Sequence, residues 1–456
     1  MKIGNHSHCV MSIHLFRALA IVCAGTLSAV AAEGVPYDLE QETYKTELLF
    51  SYDGCSDHPV MRHCGKPTVF GKYIYAAIIA HGRVPRVLQI PLDGDGPAKI
   101  GRLEPEVWIG DDAHKYFAVA VDKAGYIHLT GNMHGGPWKY WISAKPEDVS
   151  KFVKASAAQI PPGGGITYPH FSTDRNGNLY LSSRGSAPWT NRDNRTRNVH
   201  VGMLSVYDAD TRSWRILGGD IPTAFGGKAG HPVTIWEDNF QNGTFYARHQ
   251  ASFVEAPDGI LHFAFSALND NPLDYAKAPG HTITDVMYGM STDAGRTLRR
   301  SDGTEILWPV RAEAGPYQAE VLVTPPDDGS LPWLGLGASV QLDWKNRPMV
   351  RYEHKQEGAK TLRLEDGKWV PCPNEAFANW RDNHGVLMAQ GRNSTDLVRR
   401  WDENHVRVVK LGQNIDKLDE DYLRETGTLI YKTKKDRAGN TVINIMRTTV
   451  TRLEEE

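Results

Sequence analysis

The chain has 456 residues, 41% of them hydrophobic, which is enough for two or three ordinary domains or for one large repeat architecture with a substantial core. Its 51 basic and 54 acidic side chains leave a formal net charge of −3, which argues against a dedicated nucleic-acid binder. A local basic cleft for an anionic substrate is compatible with that balance.

In chain order, the N-terminus reads as an export signal. Residues 14–17 supply a modest positive region, and residues 18–30 are apolar and small. Val30, Ala31 and Ala32 then offer a small-residue cleavage site before Glu33. The apolar run is too short for a comfortable membrane span. The first ten residues sit oddly ahead of it, with Met11 as an alternative start. An anchored signal that is never cleaved is the competing reading. The expected division is therefore a signal peptide over 1–32 and a mature chain over 33–456, secreted or periplasmic, with no membrane span. That chain keeps Cys55, Cys64 and Cys372. Cys55 and Cys64 are near enough for a small-loop disulfide in an oxidising compartment. A metal cradle of Cys55, His58, His63 and Cys64 fits no standard zinc spacing.

Helical periodicity is scarce, with 146–157 and 375–380 as the best candidates. Most of the chain is short β-type runs broken by Gly, Asp and Asn. One pattern recurs, a strand, a tight turn carrying Asp or Asn with Gly, and a second strand. It occurs around Asp122–Gly125, Asp174–Gly177, Asp258–Gly259, Asp343–Asn346 and Asp436–Gly439. Ser291-Thr-Asp293-Ala-Gly295-Arg-Thr297 matches the Asp-box of sialidase-like propellers, with Leu298 in place of the usual aromatic. Repeated hairpins at such intervals predict an all-β chain folded as a single β-propeller. Two unrelated β-sandwiches are the competing arrangement.

Residues equidistant from a hairpin turn face each other across the ladder. Counting outward from residues 122–125 sets His114 opposite Met133, beside His134. Counting from 174–177 sets Tyr168 opposite Ser183, beside Arg184. The third hairpin sets His249 opposite Ser266 and brings Tyr246 and Arg248 near the same rim of a propeller's central channel, where the ends of adjacent hairpins converge. Trp138, Tyr140, Trp189 and Trp236 are nearby aromatics suited to stacking on sugar rings. A lyase acting on a uronic acid needs a cation to neutralise the carboxylate, a base for the C5 proton and an acid for the leaving oxygen. Arg suits the first role, and His and Tyr suit the others. A glycosidase instead needs two carboxylates. Asp111 and Asp112 are adjacent and would face opposite ways in a strand. Each residue also has a structural reading: a satisfied histidine, packing for Tyr168 beside Pro169, an ion pair for Arg184. His170 competes with Tyr168 at opposite strand parity. Arg192, Arg195 and Arg197 read as a solvated loop.

Asp111-Asp-Ala-His114, Ala120-Val-Asp122-Lys-Ala-Gly125-Tyr-Ile-His-Leu, Gly131-Asn-Met-His134 and Trp138-Lys-Tyr140-Trp-Ile-Ser143 together resemble the BNR-4 type polysaccharide lyases. The segment is most similar to the ulvan lyases of polysaccharide lyase family 25, over about residues 105–190. The resemblance implies a seven-bladed β-propeller that cleaves ulvan, a sulfated polymer of rhamnose and uronic acids. It implies that His114 and Tyr168 share the base and acid roles, that Arg184 neutralises the uronate, and that His134 binds or assists. Asn132, Tyr246, Arg248, His249 and Trp189 are the expected substrate-binding set. The chemistry requires no cofactor. A structural metal ion is compatible with the resemblance, although the family's metal site finds no match here. The expected partner is the anionic polysaccharide alone, bound by a monomer. A rhamnosidase or rhamnose–glucuronate lyase on the same scaffold, and a non-catalytic glycan-binding propeller, are the alternatives.

Overall fold

The computed structural model describes residues 42–452, apart from 56–63, 111, 113, 191–195, 237–243, 247–251, 271–281, 312–314, 324–337, 344, 355–357, 373–379, 383–384, 390–395, 401–405, 412–414 and 438–439. All of these belong to the unit Leu39–Glu456. The expected signal segment, and the helix expected over 375–380 apart from its last residue, lie outside the described residues.

Strands dominate, and they meander. Phe117–Val121, Ile127–Gly131, Tyr140–Ser143 and Phe152–Lys154 form one four-stranded antiparallel sheet. Ser339–Leu342 to Lys368–Cys372 form another, and Trp380–Asp382 to Val406–Lys410 a third. The helix expected over 146–157 is not formed. Its stretch holds the strand Phe152–Lys154, whose Phe152 is buried against the neighbouring strands. A sheet edge offers Phe152 a place in the core that an isolated short helix could not.

The burial pattern explains why these sheets stand side by side. Every residue of Phe117–Val121 is buried. Phe117, Val119 and Val121 belong to one apolar cluster, with Ile74, Leu88 and Ile443. Ala118 and Ala120 belong to the next, with Phe171, Leu181 and Trp214. Side chains alternate across a strand, so the two faces of one sheet pack into two neighbours. Two further clusters continue the series, one with members from Tyr180 to Ala319 and one with members from Val254 to Val350. This is the organisation of a β-propeller.

The chain ends are joined. The strand Glu42–Cys55 pairs with Asn440–Arg452, from Glu42 opposite Arg452 to Cys55 opposite Thr441. A short helix, Glu420–Thr426, was not expected from the sequence. The Asp419 side chain caps it by accepting the Tyr422 N–H at 3.3 Å, and Gly427 ends it at φ 73°. Asp419 also accepts the Val69 N–H at 2.8 Å, and Asp421 accepts the Thr173 N–H at 3.2 Å and pairs with Lys66. The helix thus ties the C-terminal part of the chain to the strand Thr68–Phe70 and to the hairpin that turns at 174–177.

The recurring turn is one residue longer than the sequence count. Asp122 N–H donates to the Tyr126 carbonyl and Gly125 N–H to the Asp122 carbonyl, at 3.0 and 2.9 Å. The same pair of bonds forms around Asp174, Ala256 and Asp343. The fourth position carries the positive φ: Gly125 83°, Gly177 68°, Gly259 84° and Asn346 61°. In three of these turns the Asp carboxylate accepts two further backbone N–H groups. The Asp-box closes likewise, with Asp293 accepting from Ser291 and Thr297 hydroxyls at 2.7 and 2.8 Å. Cys55 and Cys64 are both fully buried, and no disulfide joins them. Burial, and then the neighbouring Cys64, push the Cys55 thiol up to about 12.

Candidate active site

The longer turn corrects the register at the far end of the first hairpin. Phe117 pairs with Gly131 and Val121 with Ile127. Three residues beyond that pairing on each strand, position 114 falls opposite 134 itself. Gly131 lets the second strand close on the first: a Cβ there would meet the Tyr116 carbonyl oxygen at 2.3 Å. Asn132 follows at φ 60° and redirects the chain into the segment bearing His134.

The two imidazoles stack, centroids 4.1 Å apart and planes 18° from parallel. Asp112 joins them. One carboxylate oxygen takes His114 Nδ1 at 2.6 Å and the His114 backbone N–H at 3.0 Å, and the other takes His134 Nδ1 at 2.8 Å. Burial pushes the Asp112 carboxyl up, but the bonds from His114 and His134 outweigh it and hold the group well below the usual carboxylate range. An ionised carboxylate only accepts, so both Nδ1 atoms donate. The Nε2 atom of each neutral ring is then the lone-pair nitrogen.

The second hairpin delivers its pair through a bulge. Phe171 faces Leu181 in regular register, but the ladder slips once before Thr167 faces Arg184 and again before Gly164 faces Ser186. Tyr168 lies inside the slipped segment at φ 59°, an unfavourable value for a bulky residue before proline. Bulges re-aim side chains. Here the Tyr168 ring lies 5.4 Å from His114, and the Arg184 guanidinium lies 5.2 Å from the Tyr168 centroid. Thr167 fastens the two hairpins together. Its hydroxyl takes an Arg184 N–H at 2.8 Å and the Gly135 backbone N–H at 2.9 Å. Arg184 is only 2% exposed, and burial lowers its pKa while Tyr168 partly restores it. His170 turns to Tyr116, whose hydroxyl is 2.9 Å from its Nε2.

His114, His134, Tyr168 and Arg184 thus meet at one place. The other expected binding residues divide. Asn132 is close by, its amide donating to the Trp108 carbonyl at 3.3 Å. Trp189 is a core residue, 5% exposed, with its indole N–H on the Phe225 carbonyl at 2.7 Å. Trp138, Tyr140 and Trp236 are buried as well. Because each sheet packs on both faces, these rings fill the space between sheets and leave no face for a sugar. Tyr246 sits on the strand Thr244–Tyr246, its backbone beside His200. Arg248, His249, Arg192 and Arg195 lie outside the described residues, as do His58 and His63.

Asp112 and Thr167 were missed by sequence reasoning. The signal for Asp112 was its i, i+2 spacing to His114, which lets one carboxylate reach both the backbone N–H and the ring. Among the described residues, Asp112, His114 and His134 are the one group with metal-type ligand atoms all within 4.8 Å. Their facing atoms already bond one another, so the set reads as a hydrogen-bonded cluster, and a metal would have to displace those protons.

Residues 73–386 match the family model for BNR repeat-containing family members. A search of curated proteins by sequence finds no match. Among solved structures, the chain is similar to the polysaccharide lyase Uly1 at 15% identity and a TM-score of 0.58, covering 89% of this chain and 98% of that one. It is also similar to an ulvan lyase of family PL25 bound to -[GlcA(1-4)Rha3S]-, at 14% identity and a TM-score of 0.56, covering 88% and 96%. At such identities the likeness establishes a shared fold.

Proposed function

The chain belongs to the BNR repeat-containing family, and from that premise we propose that it is a secreted polysaccharide lyase that cleaves ulvan by β-elimination at uronic acid residues. The observation that carries this reading is the meeting of an Asp112-bound histidine pair with Tyr168 and the buried Arg184. Arg184 takes the uronate carboxylate and spreads the charge that develops at C5. His114, whose Nδ1–H is held by Asp112, offers Nε2 to the C5 proton. The electrons of that C–H bond form the C4–C5 double bond, the C4–O bond breaks, and Tyr168 gives its proton to the departing oxygen. His134 supports the substrate from the same carboxylate. No step needs a cofactor.

Asp112 accepts from both imidazoles, so this cluster does not offer the pair of working carboxylates that a glycosidase uses. Seven blades, the number that the resemblance implies, belong to the same proposal, and the pairing of Glu42–Cys55 with Asn440–Arg452 supports a ring closed by both ends of the chain. No helix among the described residues is long and apolar enough to cross a membrane. Incubation with ulvan, read by ultraviolet absorbance and mass spectrometry, tests the reading. Unsaturated oligosaccharides are expected. Saturated reducing ends would indicate a rhamnosidase, and binding without turnover a glycan-binding propeller.

A further inference from the structure

Trp108 is 61% exposed, the most open large apolar side chain among the described residues. It belongs to the segment that leads into Asp112 and His114, and that segment is held on both sides. Ile109, fully buried, donates its N–H to the Arg83 carbonyl at 3.0 Å, and the Trp108 carbonyl takes the Asn132 amide at 3.3 Å. The indole is therefore presented on a fixed backbone, directly beside the strand end that carries His134. Two cations, Arg83 and Lys115, lie near it. The Arg83 guanidinium lies 5.7 Å from the indole centroid. Lys115 reaches to 4.0 Å from Asp112.

A lone exposed apolar residue needs no explanation. An indole fixed next to a catalytic cluster and flanked by a guanidinium does have a chemical match. A pyranose offers an apolar C–H face to an aromatic ring, and an anionic ring substituent suits the Arg fork. We propose that Trp108 and Arg83 form a sugar-binding subsite next to the cleavage site, Trp108 stacking on a neighbouring ring of the polymer and Arg83 taking that ring's sulfate or carboxylate. The subsite rests on the lyase reading for its polymer and deepens it, because it requires a substrate of at least two consecutive residues.

The test is affinity electrophoresis in gels containing ulvan. Trp108→Ala should weaken retardation about tenfold, roughly 1.4 kcal/mol, while Trp108→Phe retains most of it. Leu48→Ala, a comparably exposed site at 57% on the N-terminal strand, should run as the wild type. Arg83→Ala should weaken binding and flatten its salt dependence. On desulfated ulvan, disappearance of the Arg83 effect assigns the anion to sulfate, and its persistence assigns it to carboxylate. Equal retardation of wild type and Trp108→Ala, or no retardation of the wild type, overturns the subsite. A wild type that binds through Trp108 but yields no unsaturated product leaves the subsite standing and refutes the elimination reading instead.

Discussion

Replacing Asp112 by Asn keeps the side chain's size and removes its charge. Asp112 receives two imidazole N–H groups, at 2.6 and 2.8 Å. Hydrogen bonds to a charged group are worth about 1.5–3 kcal/mol each. The Asp112 side chain is 24% exposed, so the lower end applies, about 3 kcal/mol for the two. If most of that orients the rings, kcat/KM should fall about 10²-fold. A tautomer effect acts in the same direction. The amide nitrogen of Asn cannot accept, so one ring must turn its lone pair toward the amide and present Nε2–H where the base is needed. The pH dependence follows from the depressed carboxyl pKa. Its contribution to stability is present above the unfolded value of about 3.9 and is lost as pH falls through the lower folded value. Asp112→Asn should therefore be less stable than wild type at neutral pH, with the gap closing in acid. Initial rates of unsaturated product formation and urea melts across pH check both. An Asp112→Asn enzyme with unchanged kcat/KM and an unchanged pH dependence of stability would refute the role assigned to the carboxylate.

Tyr168→Phe keeps the ring that contacts His114 and Arg184 but removes the proton that the proposed elimination gives to the leaving oxygen; kcat should fall about 10³-fold, with binding in ulvan gels retained. Arg184→Lys keeps a positive charge but loses the planar fork, and kcat/KM should fall at least about tenfold, as measured on ulvan at several salt concentrations. Lys66→Met leaves Asp419 and Asp421, with side chains 3% and 10% exposed, without that cation. Breaking such a buried pair costs about 3–5 kcal/mol, read from urea midpoints. Burial pushes the Asp421 carboxyl up, but Lys66 and then Arg424 hold it down at about 2. Its share of the stability is present above about 3.9 and should be lost only as pH falls toward that folded value, a step that Lys66→Met should shrink.

Much of this site was legible because hairpins are local. The turn residues Asp122, Gly125, Asp174 and Gly177 set two registers, and counting along them brought His114 to His134 and Tyr168 to Arg184. The count was off by one residue at the first pair because the loop runs on to Tyr126, a residue with no turn signature of its own. The bulge at Tyr168 has no clear sequence signal, since its φ of 59° is imposed by the surrounding ladder. The aromatics were misread for another reason. A tryptophan suited to a sugar and one suited to a core have the same composition, and only the two-sided packing of the sheets sends Trp138, Trp189 and Trp236 inward. Trp108, in an irregular segment, carried no pattern to mark it. Asp112 was set aside because it could not pair with Asp111, whereas its role depends on accepting from two histidines. The helix Glu420–Thr426 was missed because seven residues hold too little periodicity, although Asp419 and Gly427 bracket it with cap residues.

The most direct test of the elimination chemistry is digestion of ulvan in heavy-oxygen water, with early products analysed by mass spectrometry. Elimination leaves the glycosidic oxygen on the new reducing end and takes nothing from solvent, so the products should be unlabelled and carry the conjugated double bond. Saturated products that carry one solvent oxygen per cleaved bond would contradict the account.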